Sequence, residues 1–341
     1  MNSIVIIIGA TGFIGVYTAE HFKNLGYDVL ATGSNPAAIA WLQKLGIKTE
    51  SLLIQNAEDF DRLPTKGVEG VILLGGLLPA NVSADSKTDE KAADYFAVNT
   101  VGCVNVLEYC RKNGIKKVIA TTSYSDVIKS WKKDVPLTES EPRNFQFTGD
   151  HAAYVISKNA AVDIMEYYHQ QHGLQTACFR LPPVYGVGPH GDIFVDGKLK
   201  KSGIQTFVEN AQAGRPIEIW GDPQTSRDII YVKDVAAAFE LALGSDATGG
   251  LYNMTSGVAV SLEDQVRTVI GLFSPEDNRS EIVYSPEKKN NTPSYLFDMS
   301  KAERDFGFTP QYTSFCDMMS DYKAVMDSGK FDDFIESRRK N

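Results

Sequence analysis

Continuous apolar runs recur along the first half of the chain and alternate with amphipathic stretches. The run over 4–8 consists of five β-branched residues without polar alternation. Such a run is typical of a strand that is buried on both faces, as in the middle of a parallel sheet. Comparable runs predict further strands over 27–32, 48–54, 70–76 and 117–123. Strands that alternate with helices in this way predict an α/β fold with a doubly wound parallel sheet of the Rossmann type.

Helical periodicity accounts for much of the intervening sequence. Apolar residues spaced by three or four positions begin directly after the first predicted strand and recur further along the chain. The predicted helices cover 13–25, 36–45, 85–113, 153–172, 206–213, 262–272 and 300–306.

Three glycines lie at the turn between the first predicted strand and the first predicted helix. Their spacing is Gly-x-x-Gly-x-x-Gly, and amides at a helix N-terminus favour a pyrophosphate that glycine allows to approach closely. A purely structural turn is the alternative, because tight turns also need glycine. The position between this strand and this helix favours dinucleotide binding by Gly9, Thr11, Gly12, Phe13, Ile14 and Gly15.

The ends of the next two predicted strands bear on the choice of cofactor. An NAD site often has a carboxylate after the second strand, but Gly33 and Ser34 stand here, and Ser34 has a hydroxyl to donate to a 2′-phosphate. We therefore expect NADP or NAD, with a weak preference for NADP. Because ligands lie beyond the carboxyl ends of such strands, Leu74, Gly75 and Gly76 are also expected beside the cofactor, unless they form a plain strand–loop junction.

Composition excludes several classes of function. The net charge of the 341-residue chain is −9, without blocks of like charge, which argues against a nucleic-acid partner. No apolar run approaches membrane-spanning length, and a strand that starts at residue 4 leaves no room for a signal peptide. The four cysteines lack metal-ligand spacing, so we expect reduced thiols, no metal and a cytoplasmic location.

Tyr154 and Lys158 are candidates for acid–base chemistry. They are four residues apart on a predicted helix and so share one face. A neighbouring ammonium stabilises a phenolate and lowers the pKa of the phenol, which then exchanges protons with an alcohol or a carbonyl. A surface pair is the alternative for this spacing taken alone.

Three further polar residues lie in or beside apolar stretches. Asn99 lies in an apolar stretch and needs hydrogen-bond partners, and Thr121 and Ser123 end a predicted strand.

Taken together, these stretches resemble the extended short-chain dehydrogenase/reductase superfamily, and within it the NAD-dependent epimerase/dehydratase family that acts on nucleotide sugars. The resemblance runs from Ile4 to about Pro310. It rests on the order of the glycine turn, the segment around Asn99, residues 121–123, Tyr154 with Lys158, Arg180-Leu181-Pro182-Pro183-Val184-Tyr185-Gly186, and residues 227–235.

The resemblance implies roles for individual residues. Tyr154 is the expected acid–base residue, Lys158 is expected to bind the nicotinamide ribose, and Ser123 is expected to hydrogen-bond the reacting oxygen. Counting along the strand from Lys117 gives Ser123, whereas counting back from Val127 gives Tyr124; strand geometry favours Ser123. Further expected cofactor contacts are Asn99, Thr121, Leu181 and Val184, and expected substrate contacts are Ser123, Tyr154, Pro183 and Arg227.

Two departures from the family pattern affect the predicted reaction. Pro183 stands where family members often have Asn, which puts sugar recognition there in doubt. The dehydratases of the family carry an Asp-Glu pair after the catalytic hydroxyl, whereas here Asp126 is the only nearby acid, so we disfavour dehydration.

Arg227 resembles an arginine that binds the diphosphate of a nucleotide sugar, and the bidentate geometry of a guanidinium suits that role. A salt bridge to a carboxylate is the alternative.

Three functions remain open. The first is a nucleotide-sugar epimerase that oxidises and re-reduces a sugar carbon. The second is an NADPH-dependent reductase or dehydrogenase of a sugar or other carbonyl compound, without net epimerisation. The third is a non-catalytic dinucleotide sensor.

The resemblance also implies how the chain is divided and assembled. Residues 1–180, completed by about 229–255, are expected to form the NAD(P)-binding Rossmann domain. Residues 181–228 and 256–341 are expected to form a smaller, interleaved C-terminal substrate-binding lobe. A homodimer is expected through the predicted helices 85–113 and 153–172, where Val98, Val106, Val162 and Tyr167 are suited to a core or an interface.

Overall fold

A computed structural model describes residues 3–81, 91–132, 134–148, 151–195, 198–290 and 293–339. Its strands are β1 (Ile4–Ile8), β2 (Asp28–Gly33), β3 (Lys48–Ser51), β4 (Val68–Leu73), β5 (Lys117–Ser123), β6 (Gln175–Leu181), β7 (Val184–Tyr185), β8 (Asp192–Val195), β9 (Lys198–Lys201), β10 (Ile217–Trp220), β11 (Ser226–Asp228), β12 (Ile230–Tyr231), β13 (Gly250–Asn253), β14 (Ala259–Ser261) and β15 (Ile282–Ser285).

The helices are α1 (Phe13–Asn24), α2 (Pro36–Lys44), α3 (Ala92–Tyr95), α4 (Gly102–Asn113), α5 (Ala152–His172), α6 (Gly203–Gln212), α7 (Val232–Gly244), α8 (Leu262–Phe273), α9 (Ser300–Phe306), α10 (Phe315–Asp327) and α11 (Asp332–Arg339). None of the helices in the described ranges is both long and apolar enough to span a lipid bilayer.

A parallel sheet of seven described strands forms the centre of the fold, in the order β13-β6-β5-β4-β1-β2-β3. Alternate side chains of β1 enter two separate cores. Val5 and Ile7 pack with residues of α1 and α7 on one face, while Ile6 and Ile8 pack with residues of α4 and α5 on the other. Burial on both faces explains why β1 is apolar throughout. The predicted α/β doubly wound fold is confirmed.

The remaining strands form small sheets outside the central one. They pair as β7 with β12, β8 with β9, β10 with β15 and β11 with β14. Strand β13 returns to the central sheet and pairs with β6 after the excursion through β7 to β12. The division into a cofactor domain and a substrate lobe stays a prediction.

The predicted helix over 85–113 differs from the structure. Its first part, including Asp85, lies outside the described residues, and the rest is not one α-helix. A π-helical stretch, Phe96–Val101, separates α3 from α4. The wider turn directs Asn99 towards main-chain groups of the loop after β4, which an amphipathic pattern does not reveal. The predicted strand over 48–54 is also shorter, ending at Ser51.

The apolar residues considered for a dimer interface fall into different environments. Val106 is completely buried in the core of its own chain and so is unavailable to a partner. Val98 and Val162 are partly buried against the same core, whereas 55% of Tyr167 is exposed. The cysteines are free thiols, with Cys316 exposed and the other three buried.

Candidate active site

The turn between β1 and α1 forms a cradle of main-chain amides. Gly9 has a φ of +85°, and a Cβ there would lie 2.3 Å from the nitrogen of Gly75. A Cβ at Gly15 would lie 2.4 Å from the Gly9 carbonyl oxygen. Gly12 precedes α1, and no side chain caps the first turn of this helix. The N–H groups of that turn, which include those of Phe13 and Ile14, therefore suit a pyrophosphate.

The loop after β4 lies against this cradle. The amides of Leu74 and Gly75 both donate to the Ile8 carbonyl, each at 2.8 Å. A Cβ at Gly76 would lie 3.2 Å from Oδ1 of Asn99 and 3.9 Å from Nζ of Lys158. Gly76, one of the predicted cofactor residues after β4, is thus a neighbour of Lys158, and Gly75 before it contacts Gly9 at the end of β1.

The end of β2 is tightly packed against the glycine turn. A Cβ at Gly33 would lie 2.2 Å from Oγ1 of Thr11, so the threonine side chain covers the face of Gly33. Ser34, the next residue, is exposed. At the position that carries a ribose-binding carboxylate in many NAD sites, this chain therefore has Gly33, which Thr11 covers, and the exposed Ser34.

Asn99 connects the β4 loop to α5. Its Oδ1 accepts from the Leu77 amide at 2.7 Å, and its Nδ2 donates to the Leu77 carbonyl at 3.1 Å and to Oγ of Ser157 at 3.0 Å. The Ser157 hydroxyl in turn donates to the Tyr154 carbonyl at 2.8 Å. Asn99 satisfies its hydrogen-bonding need in this way and fixes the position of the helix that carries Tyr154 and Lys158.

Ser123, Tyr154 and Lys158 lie at the carboxyl end of the central sheet. Burial raises the pKa of Tyr154 to about 12, and a hydrogen bond with Ser123 opposes this increase. Burial also lowers the pKa of Lys158, which has no carboxylate partner among the described residues. The expectation that Lys158 lowers the Tyr154 pKa therefore differs from the structure, in which desolvation dominates both groups.

The other residues that the resemblance implies lie around this group. Thr121 and Ser123 are two positions apart on β5 and partly exposed, whereas Thr122 between them is buried. Leu181 is the register partner of Ser123 in β6. Beyond it, the Pro183 carbonyl accepts from Ile230, and Val184 pairs with the same residue.

Arg227 lies at a cavity of about 680 Å³ outside the central sheet. Its guanidinium donates to Oδ1 of Asn290 at 3.4 Å and forms no ion pair with a carboxylate in the described part of the chain. The alternative of a salt bridge at Arg227 is therefore not seen there. Other residues that line the cavity include Tyr185, Phe207, Asn210, Trp220 and Gln265.

Asp126, the nearest acid in sequence to Ser123, is held by a buried arginine. Arg180 donates to Oδ2 of Asp126 at 2.8 and 3.2 Å and to Oδ1 of Asn253 at 3.0 Å. Burial raises the pKa of Asp126, and the charge of Arg180 opposes this. The carboxylate thus balances a buried guanidinium, which argues against a role as a free acid for dehydration.

Several aromatic contacts of the site were missed by reasoning from the sequence. Tyr95 packs edge-on against Tyr154 with ring centroids 6.0 Å apart. Phe13 stacks on His190 at 3.5 Å, which attaches the loop after β7 to the glycine turn. Tyr124 stacks on Trp131 beside Ser123. Tyr95 is far from Tyr154 in the sequence, and Phe13 is far from His190. Tyr124 adjoins Ser123, and this adjacency was the available signal.

A model of one protein family matches residues 5–255, and its description is NAD dependent epimerase/dehydratase family. The chain belongs to this family. Its members are NAD-dependent enzymes, so the chain is an enzyme, and the predictions of family and of enzymatic function are confirmed. The glycine turn, the uncapped start of α1 and Lys158, which has no carboxylate partner in the described ranges, also fit a dinucleotide.

Relatives of this epimerase/dehydratase-family chain span nearly its full length. It is 25% identical over 318 residues to a UDP-glucose 4-epimerase of Mycolicibacterium smegmatis, covering 90% of this chain and 93% of the relative. It is 24% identical over 332 residues to a dTDP-glucose 4,6-dehydratase of Haemophilus influenzae, covering 91% and 94%. The UDP-glucose 4-epimerase of Thermotoga maritima, solved with UDP-glucose, shares the fold with a TM-score of 0.75 and 22% identity, covering 95% and 99%.

Proposed function

We propose that the protein is a nucleotide-sugar epimerase that oxidises and re-reduces one carbon of the sugar with a bound NAD(P). The observation that supports this most directly is the grouping of Ser123, Tyr154 and Lys158 beside Gly76, at the edge of the glycine cradle. A bound nicotinamide would accept and return the hydride at that carbon.

In this proposal the side chains of the chain supply the proton chemistry. Tyr154 takes the proton of the sugar hydroxyl and returns it, and Ser123 donates a hydrogen bond to the reacting oxygen. Lys158, whose Nζ lies 3.9 Å from the position of a Cβ at Gly76, binds the ribose of the cofactor. Because burial raises the pKa of Tyr154 to about 12, the phenol is neutral in this structure, and the positive charge of an oxidised nicotinamide would favour the phenolate that accepts the proton.

The cavity at Arg227 suits the nucleoside diphosphate part of the substrate. A guanidinium without a carboxylate partner in the described ranges is available for bidentate bonds to phosphate. Trp220 is 49% exposed at the same cavity and offers a face on which a base stacks. Relatives named for UDP-sugar and dTDP-sugar substrates support this assignment.

The second candidate is a reductase or dehydrogenase without net epimerisation. It is favoured by Gly33 and Ser34, because a site without a carboxylate after β2 accepts NADPH. The dTDP-4-dehydro-6-deoxy-D-allose reductase of Streptomyces, 25% identical over 316 residues, provides a precedent among relatives. Net consumption of added NADPH with a 4-keto sugar nucleotide selects this candidate, whereas turnover without net cofactor change selects the epimerase.

The cofactor proposal is that NADP(H) binds at least as well as NAD(H). The exposed Ser34 has a hydroxyl that is available to donate to a 2′-phosphate, and Thr11 packed on Gly33 presents no negative charge to repel that phosphate. Titration of both cofactors against the purified protein tests this. A clear preference for NAD would mean that another group binds the ribose.

We also propose a homodimer through the α3–α4 segment and α5. Exposed apolar side chains at Phe96, Val101 and Tyr167 suit such an interface, since 38–55% of each is exposed. Sedimentation at micromolar concentration tests the assembly, and a monomeric mass would exclude it.

The half-reaction provides the main test of the proposed function. The oxidised cofactor is incubated with the protein and with UDP-glucose or dTDP-glucose, and absorbance of the reduced form is followed. The proposal requires reduction of protein-bound cofactor by at least one nucleotide sugar. Free glucose serves as the control, because it lacks the diphosphate that Arg227 is proposed to bind.

A further inference from the structure

The loop after β5 places a second hydroxyl beside Ser123. Tyr124 follows Ser123 directly, and its ring lies parallel to that of Trp131, with centroids 4.9 Å apart and 6° between the planes. Tyr295 completes the group at 5.3 Å from Tyr124 and 4.5 Å from Trp131. We call these three residues the aromatic triad. Because each ring contacts both others, the Tyr124 phenol is held in one orientation.

The aromatic triad connects Ser123 to the strand that carries Arg227. Tyr295 forms a parallel bridge with Arg227, and its amide donates to the Ser226 carbonyl at 3.2 Å. The amide of Asp228 donates back to the Tyr295 carbonyl at 3.2 Å. A contiguous wall therefore extends from the predicted catalytic hydroxyl to the arginine at the cavity.

The charges around Tyr124 agree with this placement. Burial raises the pKa of Tyr124, and the positive charge of Arg227 opposes the increase. The Tyr124 phenol is one of the groups that raise the pKa of Tyr154. Tyr124 thus interacts electrostatically with both ends of the proposed substrate path and remains a neutral phenol at neutral pH, able to donate and to accept hydrogen bonds.

We propose that Tyr124 is a specificity-determining residue whose hydroxyl binds the sugar of a nucleotide sugar. This inference rests on the proposed function, in which the reacting carbon lies at Tyr154 and the diphosphate at Arg227. A substrate that spans these two groups passes along the aromatic triad, and a sugar carries hydroxyls next to the reacting carbon. A phenol already fixed by Trp131 and Tyr295 loses little conformational freedom when it binds that hydroxyl.

The experiment compares two ligands, UDP-glucose and UDP, by calorimetry with NADP⁺ present. Tyr124→Phe keeps the stacked ring and removes only the hydroxyl. We expect its Kd for UDP-glucose to rise about tenfold, the usual effect of one lost hydrogen bond, and its Kd for UDP to stay unchanged. Arg227→Met is expected to raise the Kd for both ligands. Tyr284→Phe, the same change at an exposed tyrosine of β15, is the matched control and should alter neither.

Two results would overturn the role of Tyr124. One is an unchanged Kd for UDP-glucose in Tyr124→Phe. The other is an equal loss of affinity for UDP and UDP-glucose, which would place the effect on the nucleotide or on the fold. A parent protein that binds neither ligand would overturn the proposed function itself, and this inference with it. Melting temperatures of all variants establish that the folded protein is being compared.

Discussion

At the scale of single residues, the proposed chemistry depends on the buried phenol of Tyr154. Tyr154→Phe keeps the ring that packs against Tyr95 but removes the proton-transfer group. We expect intact fold and cofactor binding, with cofactor reduction by a nucleotide sugar slowed by roughly 10²–10⁴-fold. Lys158→Met should slow the reaction and also weaken the cofactor, and Ser123→Ala should cost less than either. If Tyr154→Phe reduces bound cofactor as fast as the parent protein, Tyr154 is not the base.

We expect the buried carboxyl of Asp228 to make the free energy of unfolding depend on pH. Asp228 is completely buried, and burial raises its pKa to about 7, although bonds from Thr255, Ser256 and the Phe297 amide favour the carboxylate. A raised folded-state pKa means that the fold prefers the neutral acid. The stabilisation that Asp228 contributes is complete below about pH 4 and is lost as the pH rises through about 7. The loss in the free energy of unfolding is on the order of 4 kcal/mol.

Asp228→Asn should remove most of this dependence, because an amide carries no proton to lose. Urea unfolding at pH 5 and pH 7.5 measures the effect, and Asp61→Asn is the control at an exposed carboxylate. Parallel pH profiles for the parent and Asp228→Asn would show that Asp228 is charged in the folded protein throughout this range.

At the scale of elements, the π-helical stretch Phe96–Val101 joins the loop after β4 to helix α5, which carries Tyr154. Asn99→Ala deletes three hydrogen bonds and leaves the Leu77 main chain without this partner. We expect a loss of about 1–3 kcal/mol in the free energy of unfolding and weaker cofactor binding. Asn105→Ala on α4 is the matched control, because Asn105 makes one bond to the Ile54 carbonyl. Chemical denaturation and cofactor titration of both variants separate the two effects.

Much of the element pattern was predictable from the sequence, for reasons that differ between elements. Strand β1 is apolar because both of its faces are buried, and helix α9 matches its predicted bounds of 300–306. The glycine turn was recognisable because a positive φ and close backbone contacts demand glycine. The π-helical stretch was not, since its Asn99 accepts a hydrogen bond from Leu77, which lies 22 positions away in the sequence. The aromatic triad was missed for the same reason, because Tyr295 lies far from Tyr124 in sequence.

At the scale of the whole molecule, the C-terminal segment packs against the helices of the glycine cradle. Phe331 and Phe334 are each 1% exposed, and both stack near Trp41 of α2, while Phe331 also contacts Tyr17 of α1. The Lys330 ammonium pairs with Glu20 of α1 at 2.5 Å, and the main-chain carbonyl of Lys330 accepts a hydrogen bond from Nε1 of Trp41. The sequence did not predict this packing, because the segment after 328 is short and mostly polar.

Removal of one of these rings tests whether the C-terminal segment supports the cofactor cradle. Phe334→Ala deletes a fully buried ring between α11 and α2, so we expect a loss of about 3–5 kcal/mol in the free energy of unfolding. The cofactor should also bind more weakly, because the same segment contacts α1, which begins at the turn that is proposed to hold the cofactor. Phe147→Ala is the matched control, since 74% of Phe147 is exposed, and it should change stability by less than about 0.5 kcal/mol. Reduced stability with unchanged cofactor affinity would show that the segment supports the fold without supporting the cradle.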